Sequence, residues 1–172
     1  VNKPVKISPV PKRPKLENKV YASVYISDGD NIQYCQHAMA KIFEQSGRGK
    51  IALNWTISPA LAEIAPMMLT YYYKKATTND CFVSGPSGAG YAMPYNGLAQ
   101  TWYASATSSK LLKPYAELTQ RCLEKSGLRI ITVWDNLSAI QRKVFADNIP
   151  YLYGLTFNHN VTGVSTSIQS GW

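Results

Sequence analysis

Hydrophobic positions along this chain alternate between two spacings. Val20–Ser27 is rich in β-formers and stops at Asp28-Gly29-Asp30, a turn sequence. Ile32, Cys35, Met39, Ile42 and Phe43 then recur at helical spacing until Gly47 and Gly49 end the run. Lys50–Ile57 reads as a second strand halted at Ser58-Pro59, and Leu61 to about Ala76 as a second helix in which Pro66 predicts a kink or a later start. Cys81–Ser84 is a short third strand, followed by Gly85-Pro86-Ser87-Gly88-Ala89-Gly90-Tyr91, a loop. Asn96 can cap a short helix through about Ser105, and Lys110–Ser126 is a longer helix with Leu111, Tyr115, Leu118 and Cys122 along one face. Arg129–Trp134 is the fourth strand, Leu137–Asn148 the next helix and Leu152–Asn158 the fifth strand.

Strands that start near residues 20, 50, 81, 129 and 152 and alternate with helices predict an α/β fold of parallel strand-helix repeats, with right-handed crossovers. Five strands cannot close a (β/α) barrel of about eight. The sheet is therefore either an open, doubly wound one, or most of a barrel with its remainder missing. Strand composition favours the partial barrel. A parallel strand covered on both faces is almost wholly apolar, yet Ser23, Tyr25 and Ser27 form one polar row and Asn54 and Thr56 another. Such rows suit a barrel interior that opens into a site.

Composition keeps the picture globular: 172 residues, 45% apolar and 16% charged, suffice for one domain with a core. No run approaches the roughly 20 apolar residues that span a membrane. The chain opens at Val1, which fits a processed N-terminus or an excised piece of something larger. The net charge of +8 is unevenly spread. Residues 1–19 carry six basic side chains against Glu17 alone, with Pro4, Pro9, Pro11 and Pro14 among them, and read as an extended arm or linker; residues 20–172 form the α/β domain. The body keeps only +3, so no nucleic-acid partner is expected. Cys35, Cys81 and Cys122 lack CxxC spacing and read as buried thiols, with a single disulfide left open.

In either architecture a ligand site lies outside the carboxyl ends of the strands. That rule gathers Asp28, Asp30 and Asn31 after the first strand, Trp55 and Ser58 around the second, the glycine-rich loop with Ser87 and Tyr91 after the third, Trp134 and Asp135 after the fourth, and His159 after the fifth. Asp28, Asp30 and Asp135 are the candidate catalytic groups. Glycosidic cleavage needs a proton donor and a second carboxylate about 5 Å or about 6.5–9.5 Å apart. Asn31, Trp55, Ser87, Tyr91, Trp134 and His159 are the candidate substrate contacts, because sugar faces stack on aromatic rings and sugar edges seek polar partners. Structural roles compete with these. Asp-Gly is turn chemistry, and Asp30 or Asn31 can cap the first helix.

Other chemistries fit less well. Asp28 and Asp30 with His159 could hold a divalent metal, but Ile32 breaks a calcium loop, and no cofactor is expected. Gly85 and Gly90 have Walker spacing with Tyr91 where Lys is required. Gly85-Pro86-Ser87-Gly88-Ala89 approximates a nucleophile elbow, with Asp135 and His159 following in hydrolase order, so a serine hydrolase is an alternative. A non-catalytic glycan-binding or scaffold domain is another.

Gly88-Ala89-Gly90-Tyr91-Ala92-Met93-Pro94 resembles the signature of the bacterial GxGYxYP family, known as "putative glycoside hydrolases". Tyr25–Asn31, Trp55–Pro59 and Ser84–Gly88 resemble its flanking blocks in the same order, and together the likeness covers about residues 20–95. Met93 departs from the second Tyr of the pattern. The resemblance implies a barrel-like α/β domain of an extracytoplasmic protein that processes polysaccharide. It assigns no catalytic pair, so the aspartates rest on their places at the strand ends.

Overall fold

The computed structural model describes residues 15–92, Pro94 and 105–157. Its elements follow in the order β1 (Tyr25–Ile26), α1 (Ile32–Gln36), α2 (Ala38–Phe43), β2 (Leu53–Ile57), α3 (Leu61–Ile64), α4 (Pro66–Lys75), β3 (Asp80–Ser84), α5 (Ser105–Ser126), β4 (Ile130–Val133), α6 (Ala139–Asn148) and β5 (Gly154–Phe157). The strands pair in parallel and in sequence order, β1-β2-β3-β4-β5. A doubly wound sheet reverses its strand order at a switch point; this one does not. It curls into a half-barrel with helices between the strands, as the polar rows predict.

Register separates the two faces. Ile26 pairs with Trp55, Trp55 with Phe82 and Ile57 with Ser84, while Ile131 and Val133 pair with Leu155 and Phe157. This row packs on Met39, Phe43, Leu69, Tyr72, Leu112, Leu123 and Phe145 of the helices and forms the core. Side chains alternate across a strand, so Tyr25 with Asn54, Asn54 with Cys81, and Thr132 with Thr156 line the other, concave face. Cys81 is therefore exposed, and the expectation of three buried thiols holds only for Cys35.

The helices depart from their predicted bounds for local reasons. The first is broken at His37 into α1 and α2, where the Cys35 carbonyl accepts the Tyr72 hydroxyl. Pro66 starts α4 at its first turn, where a missing N–H costs nothing, and α3 is a separate short piece. In α5 the buried row is Leu112, Ala116, Thr119 and Leu123, while Leu111 and Leu118 are exposed. The predicted face is thus turned by about one residue. β1 is only two residues long, and Val20–Val24 lie exposed beside it. The strand end at Asn158 and the helix capped by Asn96 lie outside the described residues. Among the described residues no helix is long and apolar enough to cross a membrane.

At the amino ends of the strands sits a buried polar knot that the sequence pattern did not reveal. Asp80, with no side-chain exposure, accepts Trp55 Nε1 at 2.8 Å and the Thr77 amide and hydroxyl at 2.8 Å each, and it pairs with Arg48. Burial alone would raise its pKa, but these bonds and the Arg48 charge outweigh it and hold the carboxyl below its ordinary value. The lowered pKa means that the ionised carboxylate stabilises the fold above its unfolded pKa. That contribution is lost as pH falls through the folded value. Asp80→Ala is expected to lower unfolding free energy in urea by about 3–5 kcal/mol near neutrality. The gap from wild type should narrow below about pH 4.

Candidate active site at the carboxyl rim

The turn after β1 is pressed against the end of β2. A side chain at Gly29 would place its Cβ 1.7 Å from the Thr56 carbonyl oxygen, so only glycine fits. The Thr56 hydroxyl accepts the Gly29 amide at 3.0 Å and donates to the Ile26 carbonyl at 2.8 Å, while the Gly29 carbonyl accepts the Ser58 amide at 2.8 Å. Asp28 is exposed and takes a left-handed backbone, φ 71°, which Asp tolerates better than most residues. Asn31 caps α1, its side-chain oxygen accepting the Gln33 and Tyr34 amides at 2.9 and 3.2 Å. The cap of that helix is Asn31 and not Asp30. Burial raises the Asp30 pKa, a backbone hydrogen bond opposes this, and the nearby Asp28 charge adds to the rise.

The glycine-rich loop after β3 is held from beneath by α5. The Tyr115 hydroxyl donates to the Gly90 carbonyl at 2.8 Å and lies 3.1 Å from that of Ser87, and the Thr119 hydroxyl accepts the Ala89 amide at 3.1 Å. Gly88 has φ 131°, and a Cβ there would lie 2.8 Å from Thr119 Oγ1 and 3.0 Å from the Tyr115 hydroxyl. Both conformation and space require glycine. Within the loop the Ser84 hydroxyl donates to the Gly88 carbonyl at 2.8 Å. Burial pushes the Tyr115 phenol up to about 12, against the opposing effect of its hydrogen bonds to Gly90 and Thr119.

The turn after β4 is tied to this loop, since the Trp134 amide donates to Ser87 Oγ at 3.1 Å. Trp134 is half-buried and Asp135 is 5% exposed, its Oδ1 accepting the Asn136 amide at 2.8 Å. Thr56 thus joins the turn of Asp28 and Asp30 to β2, Tyr115 holds the loop of Ser87 and Tyr91 on α5, and Ser87 joins that loop to the turn of Trp134 and Asp135. Thr56, Tyr115 and Thr119 were not among the predicted site residues. The i, i+4 pair of Tyr115 and Thr119 on one helix face was their available signal.

Two predicted substrate contacts, Trp55 and Ser87, are buried. Trp55 is 1% exposed on the helix-facing row, edge-on to Phe43, and cannot stack on a sugar. Ser87 has no exposed surface in this structure, and its hydroxyl accepts the Trp134 amide. Tyr91 is 60% exposed. His159 lies outside the described residues. Among the described residues no three His, Cys, Asp or Glu side chains cluster as a metal site would need.

Comparison with known proteins agrees with this architecture. The family model described as "GxGYxYP putative glycoside hydrolase C-terminal domain" matches residues 18–162. A solved structure described as a "putative hydrolase" from Bacteroides thetaiotaomicron VPI-5482 superposes with a TM-score of 0.70 at 27% identity. The match takes in 89% of this chain and 28% of that one, so this chain spans less than a third of that protein's length. No curated protein matches.

Gly88→Ala is expected to lower stability by about 1–3 kcal/mol, through its backbone conformation and its contact with Thr119 and Tyr115. Equilibrium unfolding in urea measures this, and a stability equal to wild type would contradict the described loop packing.

Proposed function

We infer, from the premise that the chain belongs to the GxGYxYP C-terminal-domain family, that its carboxyl rim binds and cleaves glycosidic linkages in polysaccharide. Asp30 is the proton donor. In its protonated form it delivers a proton to the glycosidic oxygen as the bond from that oxygen to the anomeric carbon breaks. Asp135 is the opposing carboxylate, which either attacks the anomeric carbon or activates the water that does. Asp28 acts through Asp30, its negative charge favouring the protonated form. Tyr91 and Trp134 offer ring surface to the sugar. An extracytoplasmic setting belongs to the same proposal, since polysaccharide substrates are met there.

The single observation that carries this reading is a half-buried Asp30 with a raised pKa, at the same end of the parallel sheet as the turn of Asp135. Acids and bases of glycosidases are separated by such environments. Burial of Asp135 favours a second reading, a glycan-binding domain without turnover, because a carboxyl only 5% exposed has little room to meet an anomeric carbon.

Asp30→Asn and Asp135→Asn are each expected to reduce hydrolysis at least about 100-fold with the circular dichroism spectrum unchanged. Reducing-end release from a polysaccharide panel and from aryl glycosides is the assay. Full activity in both variants would overturn the assignment. Binding to glycans without products in the wild type would select the second reading. Asp28→Asn is expected to keep turnover and to move the alkaline limb of the pH profile downward, because Asp30 loses the charge that raises its pKa.

A further inference from the structure

Gly88 and Gly90 flank Ala89 in the signature, yet their surroundings differ. Gly88 is fixed by packing on Tyr115 and Thr119, as above. Gly90 has no left-handed φ, and a Cβ built on it meets no atom of the described residues within 4 Å. Neither conformation nor neighbouring described atoms account for glycine there. Meanwhile Gly90 is held more firmly than an open turn requires. Its carbonyl accepts the Tyr115 hydroxyl at 2.8 Å and also the Ser87 amide at 3.4 Å, and its own amide points at the Tyr115 oxygen at 3.5 Å. The next residue, Tyr91, carries the most exposed aromatic ring on the described part of this rim.

A partly exposed backbone face that no described atom crowds and that hydrogen bonds hold in place, next to an exposed ring, suits a flat partner that approaches the main chain closely. We propose that Gly90 and Tyr91 together form the contact surface for one pyranose ring, and that Tyr115 is the positioning residue that aims this surface. This rests on the carbohydrate reading above and adds to it the residues that meet the sugar. Tyr115 itself is half-buried beneath the loop and acts through Gly90. Its links to Ser87 and Gly90 set the loop's height above α5, while the Ala89 amide is held by the Thr119 hydroxyl. Loss of the Tyr115 hydroxyl should therefore free the Gly90 end of the loop and leave Ala89 anchored.

The test measures binding of cello-, xylo-, manno- and chito-oligosaccharides to the full chain by calorimetry, beside thermal unfolding and amide hydrogen exchange. Gly90→Ala is the informative variant, because the described surroundings give an added methyl nothing to strike. It is expected to keep the wild-type melting midpoint while weakening the strongest-binding oligosaccharide about tenfold or more. Tyr91→Ala should do the same. Tyr115→Phe should weaken binding and speed exchange at the Gly90 and Tyr91 amides but not at Ala89. If an oligosaccharide binds the wild type and Gly90→Ala and Tyr91→Ala bind it equally well, this surface is wrong and the carbohydrate reading stands. Binding of no oligosaccharide by the wild type would overturn both. Unchanged exchange at Gly90 in Tyr115→Phe would remove Tyr115 from its positioning role.

Discussion

Where parallel strands end, their turns leave the sheet with backbone donors and acceptors that no neighbouring strand can satisfy, and a buried group of that kind must find another partner. In this half-barrel the partners are side-chain hydroxyls. Thr56 joins the Ile26 carbonyl to the Gly29 amide, Ser84 reaches Gly88, Ser87 takes the Trp134 amide, and Tyr115 takes the Gly90 carbonyl. Each is a short link that fixes a turn to itself, to a strand or helix, or, through Ser87, to the next turn. Together they hold the turns in place at one end of the sheet, and the proposed chemistry of Asp30 and Asp135 depends on those turns keeping their shape.

The two ends of the sheet divide the work. At the amino end Asp80, Arg48, Thr77 and Trp55 form a closed, ionised knot whose bonds are all internal. Trp55 shows how the division operates: its ring fills the core and its N–H serves the knot, so a residue chosen from sequence for sugar stacking supports the fold instead. At the carboxyl end the polar groups are only partly used internally. Asp28 and Tyr91 remain exposed, and Asp30 is half-buried with its acid form favoured.

Much of the architecture was legible in the chain. Strand-helix alternation gave the parallel order, and the polar row of Tyr25, Asn54 and Thr56 distinguished a curled sheet from a doubly wound one, because only one face of these strands is covered by helices. Periodicity was less able to place a helix's rotation. On α5 the row Leu111, Tyr115, Leu118 and Cys122 is as regular as the buried row beside it, and packing of Leu112, Ala116 and Leu123 into the core, which no spacing encodes, selected between them. Ser87 illustrates the same limit at the site. A serine in a glycine-rich loop suits a nucleophile, but this one is buried with its hydroxyl accepting the amide of Trp134, 47 residues away in sequence. The signature glycines were visible as a motif, while their separate reasons required knowing that Tyr115 and Thr119 lie beneath them.

Hydrogen exchange at the Gly29 amide in Thr56→Val tests the linked rim most directly, since Val keeps the shape of Thr and removes only the hydroxyl. Protection is expected to fall at Gly29 while Phe82 and Val83 in the sheet centre keep theirs. Unchanged protection at Gly29 would contradict the account, showing that the turns keep their places without the hydroxyl that joins them.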